Sequence, residues 1–402
     1  MDDGAVSAAA VTAGMLKARA AHLTGLSDFG DPWFERPLAA WAEDLASPLI
    51  SESARGLLAR AAVANLSRRL EVVDCLKRHP EIDDVRIPPI IYVTGLERSG
   101  ATWLHRLLAA HPTARSLSRW ELQFPVPPPE AATYMRDPRI LLVQSAVDRF
   151  RGTLLEQMHW VNAGDPESCT AGAVDMTGLM DRAIAPLMPA WGSFLARTDL
   201  TPAFLEHRRL IRLLIWKALP PGTGHLVLRS PQNSRNLTQL AAALPEARFV
   251  ILHRDPYRAT TSLCTLTAHL AEPMTGPPDW WRDNGPGVSA VVDHMELGMK
   301  RLVEFADAPT APVVHLAYPD LMRDPVGSLG RIYSGLDLQP PPDISKVVAA
   351  TQAVRPKSPA STPPAKIPDY GLKPAAFLAR PVVADYCRRH DIAPEKVRLT
   401  GV

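Results

Sequence analysis

The spacing of apolar positions changes along the chain and divides it into stretches of different kind. Residues 1–86 carry helical periodicity in three alanine-rich stretches, Ala8–Leu23, Leu38–Leu45 and Ser53–Val72. In the last of these Leu57, Leu58, Ala61, Ala62 and Leu66 recur along the helix. Pro88 and Pro89 end that pattern. Beyond them, short wholly apolar runs alternate with helical segments. Ile90–Val93 is followed by a loop and a helix carrying Leu104, Leu107 and Leu108; Leu226–Leu228 precedes a helix with Leu237, Leu240 and Leu244. Phe249–Leu252 leads to Asp255-Pro256, an N-cap with proline at the first helical position, and Val313–Leu316 leads to Asp324-Pro325. Strands that are apolar on both faces and separated by helices predict a parallel sheet covered on both sides.

Residues 131–220 break the alternation and read as a mostly helical insertion that includes Phe204–Leu219. The expected organisation is therefore a helical prefix (1–87) packed on an α/β domain (88–402), with the insertion shaping a pocket. Proline-rich stretches at Pro125–Pro129, Pro340–Pro342 and Pro356–Pro368 read as loops or rigid connectors. The last, with Arg355, Lys357 and Lys366, reads as a surface linker or a mobile flap.

Charge narrows the partners. With 44 Lys+Arg against 42 Asp+Glu, the formal charge of +2 offers no whole-molecule attraction to nucleic acid or to a membrane surface. An anionic ligand must be held by locally placed cations. Cys75, Cys169, Cys264 and Cys387 are far apart and form no C-x-x-C pair, the usage of reduced thiols in a cytoplasmic protein. No run reaches the roughly 18–20 apolar residues of a membrane span, and the first residues lack a secretory leader pattern.

The chemistry concentrates at the ends of the predicted strands, where ligands collect in such sheets. Gly95-Leu96-Glu97-Arg98-Ser99-Gly100-Ala101-Thr102 has the G-x4-G-x-[ST] skeleton of a phosphate-binding loop, between a strand and a helix. Ala101 stands where a nucleotide-triphosphate loop carries lysine, and the loop's only cation is Arg98. The loop reads as built for an anion other than a triphosphate. Arg254, at the end of the third predicted strand, can fork onto a phosphate or pair with a structural carboxylate.

Together these segments resemble the sulfotransferases that use 3′-phosphoadenosine 5′-phosphosulfate (PAPS), in the bacterial branch with arginine in the first loop. Arg98, Ser99, Gly100 and Thr102 match the loop that grips the 5′-phosphosulfate. Arg254 and Ser262, eight positions apart, match the grip on the 3′-phosphate. The resemblance runs through LVLRSPQNSRNLTQLAAALPEARFVILHRDP, Trp120-Glu121, His159 with Pro166-Glu167 downstream, Tyr318 and Asp369–Leu372, and covers about residues 20–375. It implies sulfuryl transfer from PAPS to a hydroxyl of a small-molecule acceptor, release of adenosine 3′,5′-bisphosphate, and no metal. It leaves the acceptor and the oligomeric state open.

The same resemblance assigns roles. Arg98, the loop amides of Ser99, Gly100 and Ala101, and Thr102 hold the donor, Trp103 and Tyr318 border its adenine, and Arg229 stands where relatives have a lysine that stabilises the leaving group. Two residues compete for the base that takes the acceptor proton. His159 is favoured because imidazole titrates near neutrality, with Glu121 orienting it or the acceptor; Glu121 as the base is the alternative. Three departures stand out: Ala101 for threonine, Glu97 for proline and Asn233 for histidine. A P-loop kinase-like phosphotransferase and a non-catalytic nucleotide-binding homologue remain the competing readings.

Overall fold

The computed structural model describes residues 11–47, 50–153, 156, 162–178, 182–271, 278–354 and 370–395. His159 and the segment carrying Arg355, Lys357 and Lys366 lie outside the described residues. Five parallel strands form one sheet: β1 Ile90–Gly95, β2 Ala114–Ser116, β3 His225–Arg229, β4 Ala247–His253 and β5 Val313–Ala317, in spatial order β2-β3-β1-β4-β5. Four coincide with the apolar runs in the sequence. The fifth, β2, is three residues long and includes Arg115; it exists by pairing with β3.

Alternation along each strand sends side chains to opposite faces, and both faces are covered. Ile90, Tyr92, Leu226, Leu228, Phe249 and Ile251 enter one core cluster; Ile91, Val93, Val227, Val250, Leu252 and Leu316 enter another. This double burial is why the strands read as continuous apolar runs. The first cluster extends into three N-terminal helices, α1 Ala13–Thr24, α2 Glu35–Leu45 and α3 Glu52–Arg78. Trp41 of α2 meets Trp191 edge-on, with ring centroids 5.0 Å apart. Buried Asp44 accepts from the backbone N–H groups of Ala190 and Trp191 at 3.0 and 2.9 Å, closing the start of helix Pro189–Arg197. Buried Arg69 forks onto Glu206 at 2.6 and 2.7 Å and donates to the carbonyls of Phe29 and Asp31. No helix among the described residues is long and apolar enough to cross a membrane.

Candidate active site

The register of three neighbouring strands brings the candidate residues to one edge of the sheet. Val93 of β1 lies opposite Arg229 of β3, and Gly95 of β1 lies opposite Leu252 of β4, two residues before Arg254. With strands about 4.8 Å apart, the order across the sheet is Arg229, then the loop after β1, then Arg254. The two outer positions are about 10 Å apart by that spacing.

The loop is shaped by backbone that only glycine adopts without strain at two points. Gly95 has φ 134°, and a Cβ there would lie 2.3 Å from the Leu252 carbonyl oxygen. Gly100 has φ 95°, and its Cβ would meet the Tyr318 ring at 2.6 Å. Arg98 between them is also left-handed, φ 67°. Ser99 is tied inward, its hydroxyl donating to the Leu96 carbonyl at 2.7 Å. The helix Ala101–Ala109 then starts at Gly100 with no side-chain cap. Among the described residues the N–H groups of Gly100, Ala101 and Thr102 have no protein acceptor, and neither does the Thr102 hydroxyl. Three outward N–H groups at a helix start form an anion cradle that needs no lysine.

The arginines converge on this cradle. Arg254 donates from Nη1 to the Arg98 carbonyl at 2.9 Å and lies over the Tyr318 ring, 4.5 Å from its centroid. Arg98 donates from Nε to the Ser262 hydroxyl at 3.0 Å, so it reaches from the first loop to the second grip. Tyr318 sits between the Arg254 guanidinium and Gly100. Trp103 is half-buried and packs against the second core cluster beside Leu104.

Arg229 lies on the other side, buried, with Nη2 donating to Glu167 Oε1 at 2.8 Å and Nε without an acceptor among the described residues. Glu167 also accepts from the Ser168 N–H at 2.6 Å and pairs with Arg119. These residues border a cavity of about 690 Å³, closed on one side by Asn65, Arg68 and Glu71 of α3. Phe124, Val143, Val147 and Phe150 line another part. Burial pulls the Arg68 guanidinium down to about 10 despite Glu71 nearby. Arg68 nevertheless donates to the Gln123 carbonyl at 2.9 Å.

Glu121 is fully buried and held by three partners. Its Oε1 accepts from the Ser118 N–H at 2.6 Å and the Tyr134 hydroxyl at 2.5 Å, and Oε2 accepts from Arg115 at 2.5 Å. Ser118 and Glu121 form the reciprocal capping box of helix Arg119–Gln123. The Ser-x-x-Glu spacing is visible in the sequence. Burial opposes charge on Arg115, but Glu121 outweighs it and raises that guanidinium above its ordinary range.

The departures also find partners. Glu97 points away from the cradle, to Arg235 at 2.9 Å and His294 at 3.0 Å. Burial works against its charge, but the Arg235 guanidinium, with His294 beside it, holds the carboxyl well below the usual range. Asn233 donates to the Tyr92 hydroxyl at 2.7 Å. Ala101 is buried beneath the loop.

His253, His315 and His390 each bring a ring nitrogen within 4.8 Å of the others. Their rings are nearly parallel, at 19–27°, and His253 Nε2 is already hydrogen-bonded to His315 Nδ1 at 2.8 Å. Burial lowers all three below the ordinary imidazole value. This is a neutral stack bracing the end of β4.

The sequence reading missed Glu167 and Arg119 as a framework for Arg229; these residues lie 62 and 110 positions from it, and only the fold joins them.

Comparison with known proteins agrees with the geometry. The profile of the Sulfotransferase family matches residues 89–342. The structure is similar to sulfotransferase STF9 from Mycobacterium avium, at 25% identity and TM-score 0.83, over 96% of this chain and 98% of that one. It is also similar to sulfotransferase STF1 from Mycobacterium tuberculosis H37Rv, at 25% identity and TM-score 0.77, over 94% and 99%. No curated protein sequence matches the chain. A lysine-free anion cradle flanked by strand-end arginines, in a sheet shared with these enzymes over nearly the whole chain, identifies the protein as a member of the sulfotransferase family.

Proposed function

We propose that the protein transfers a sulfuryl group from PAPS to a hydroxyl of a small-molecule acceptor bound in the cavity beside Arg229. The observation that supports this most is the convergence of Arg98, Ser262 and Arg254 on one side of an unsatisfied amide cradle. One nucleotide with phosphates at both its 3′ and 5′ positions fits that layout; a triphosphate loop would call for a lysine at position 101.

In this reading Arg254 and Ser262 hold the 3′-phosphate, with Arg98 bridging from the loop. The N–H groups of Gly100, Ala101 and Thr102, with the Thr102 hydroxyl, take the 5′-phosphosulfate. The Gly100 turn and Tyr318 border the adenosine, with Trp103 at the helix start. The acceptor oxygen attacks sulfur in line as the bond from sulfur to the bridging oxygen breaks. Charge then develops on the departing phosphate, where preformed donors lower the barrier most. Arg229, whose Nε has no acceptor among the described residues, stabilises that oxygen through its delocalised charge without donating a proton.

His159 takes the acceptor proton. Glu121 is assigned to holding Arg115 and the start of helix Arg119–Gln123, because both of its oxygens are already engaged there. The mixed polar and apolar cavity wall favours an acceptor with an apolar body. The test is transfer of labelled sulfuryl from PAPS together with binding of adenosine 3′,5′-bisphosphate. Arg98→Ala should remain folded and lose transfer; full activity in that variant would refute the mechanism.

A further inference from the structure

Arg254, assigned above to a phosphate, is already holding a carboxylate. Glu395 accepts from Arg254 Nε at 2.8 Å and from Nη2 at 3.2 Å, the forked pairing that a phosphate makes with the same two donors. The third donor, Nη1, goes to the Arg98 carbonyl, so the guanidinium stays aimed while the carboxylate is there. The backbone around Glu395 is anchored independently of its side chain. Its N–H donates to Asp255 Oδ2 at 2.7 Å, while Asp255 Oδ1 accepts from the Tyr257 N–H at the start of helix Pro256–Ala271. Upstream, helix Pro381–Arg389 is pinned where the Tyr386 hydroxyl meets His253 Nδ1 at 2.8 Å. The carboxylate can therefore swing away from Arg254 while the segment remains in place.

We propose that Glu395 is a built-in competitor for the 3′-phosphate of the donor nucleotide. It satisfies Arg254 when no nucleotide is bound, yields to the 3′-phosphate on binding, and returns to Arg254 as the spent bisphosphate leaves. This rests on the reading that Arg254 holds the 3′-phosphate. Both partners are about a quarter exposed, 23% and 25%. A partly solvated pair of this kind biases binding modestly, by roughly 3- to 10-fold, so Glu395 tunes affinity and product release without closing the site. A nucleotide lacking the 3′-phosphate makes no demand on Arg254 and escapes the competition. Glu395, about 140 residues from the arginine it occupies, thus tempers the donor site's preference for a 3′-phosphorylated nucleotide.

The experiment is calorimetric titration of the full chain, and of its Glu395→Gln and Glu395→Ala variants, with adenosine 3′,5′-bisphosphate and with AMP. The alanine variant covers the case in which the amide keeps a neutral contact with Arg254. Competition predicts that Kd for the bisphosphate falls roughly 3- to 10-fold in Glu395→Ala, with AMP binding and melting temperature little changed. An unchanged bisphosphate Kd in both variants overturns the proposal, as does an equal shift for both nucleotides. If the wild-type chain and the variants all fail to prefer the bisphosphate over AMP, the donor assignment itself falls, and the competitor with it.

Discussion

Glu167 offers the sharpest test of how the site is held. Replacing it with glutamine keeps the shape and removes the charge. The carboxylate is buried, and it faces Arg229 and Arg119, whose side chains are 5% and 21% exposed. Removing one partner of a buried pair costs about 3–5 kcal/mol, because the other charge is stranded. The glutamine carbonyl can still accept from Arg229 or Ser168, recovering part of that at about 1–2 kcal/mol. The more solvated contact to Arg119 adds no more than about 1 kcal/mol, and the glutamine N–H2 would oppose its donors. The net expectation is a loss of about 3 kcal/mol, read as a lower urea midpoint with an unchanged slope. Arg229 would also lose its anchor, and kcat should fall about 100-fold, or about 2.7 kcal/mol of barrier, with donor binding nearly intact. A Glu167→Gln protein equal to wild type in both urea midpoint and kcat would refute the idea that this carboxylate positions Arg229.

Three further outcomes are expected. Glu121→Gln retains the cap but loses the charge facing Arg115, so stability should fall by about 2 kcal/mol while kcat of the folded protein changes little; a thousandfold drop in kcat at full stability would instead make Glu121 the base. Gly100→Ala forces a left-handed alanine costing about 1–2 kcal/mol and drives a Cβ into the Tyr318 ring; it should lower the melting temperature and weaken bisphosphate binding, and a neutral result in both would contradict the close packing. Burial, assisted by Arg229, holds His105 down at about 3, and burial with His111 holds His225 at about 4. The unfolded chain therefore takes up protons below about pH 6.5 that the folded one refuses, and stability should drop as pH falls from 6.5 towards 3–4, then level off. For His105 the slope is up to about 1.4 kcal/mol per pH unit; urea unfolding of wild type and His105→Gln across that range should show a shallower loss in the variant.

Most of the sheet was legible because doubly buried strands leave uninterrupted apolar runs such as Ile90–Val93 and Phe249–Leu252. Strand β2 was not, because three residues containing Arg115 carry no period and owe their conformation to β3. The anion cradle and the Arg254–Ser262 spacing were legible as local patterns. The same patterns did not reveal that Arg98 would reach Ser262, or that Glu97 would turn towards Arg235 and His294, since those partners lie 138 to 197 positions away. Glu121 shows the converse: the resemblance assigns it to the chemistry, while the fold engages its carboxylate with Ser118 in the cap of helix Arg119–Gln123.

Helix α3 has a consequence for how such a protein can diversify. Its residues 61–71 wall the cavity opposite Arg229, yet they precede the family-matched stretch that begins at residue 89. One wall of the chamber is thus supplied from outside that stretch, while Arg119, Glu167 and Arg229 within it supply another. Changes confined to that helix can recut one side of the chamber while leaving the loop after β1 and the strand-end arginines as they are.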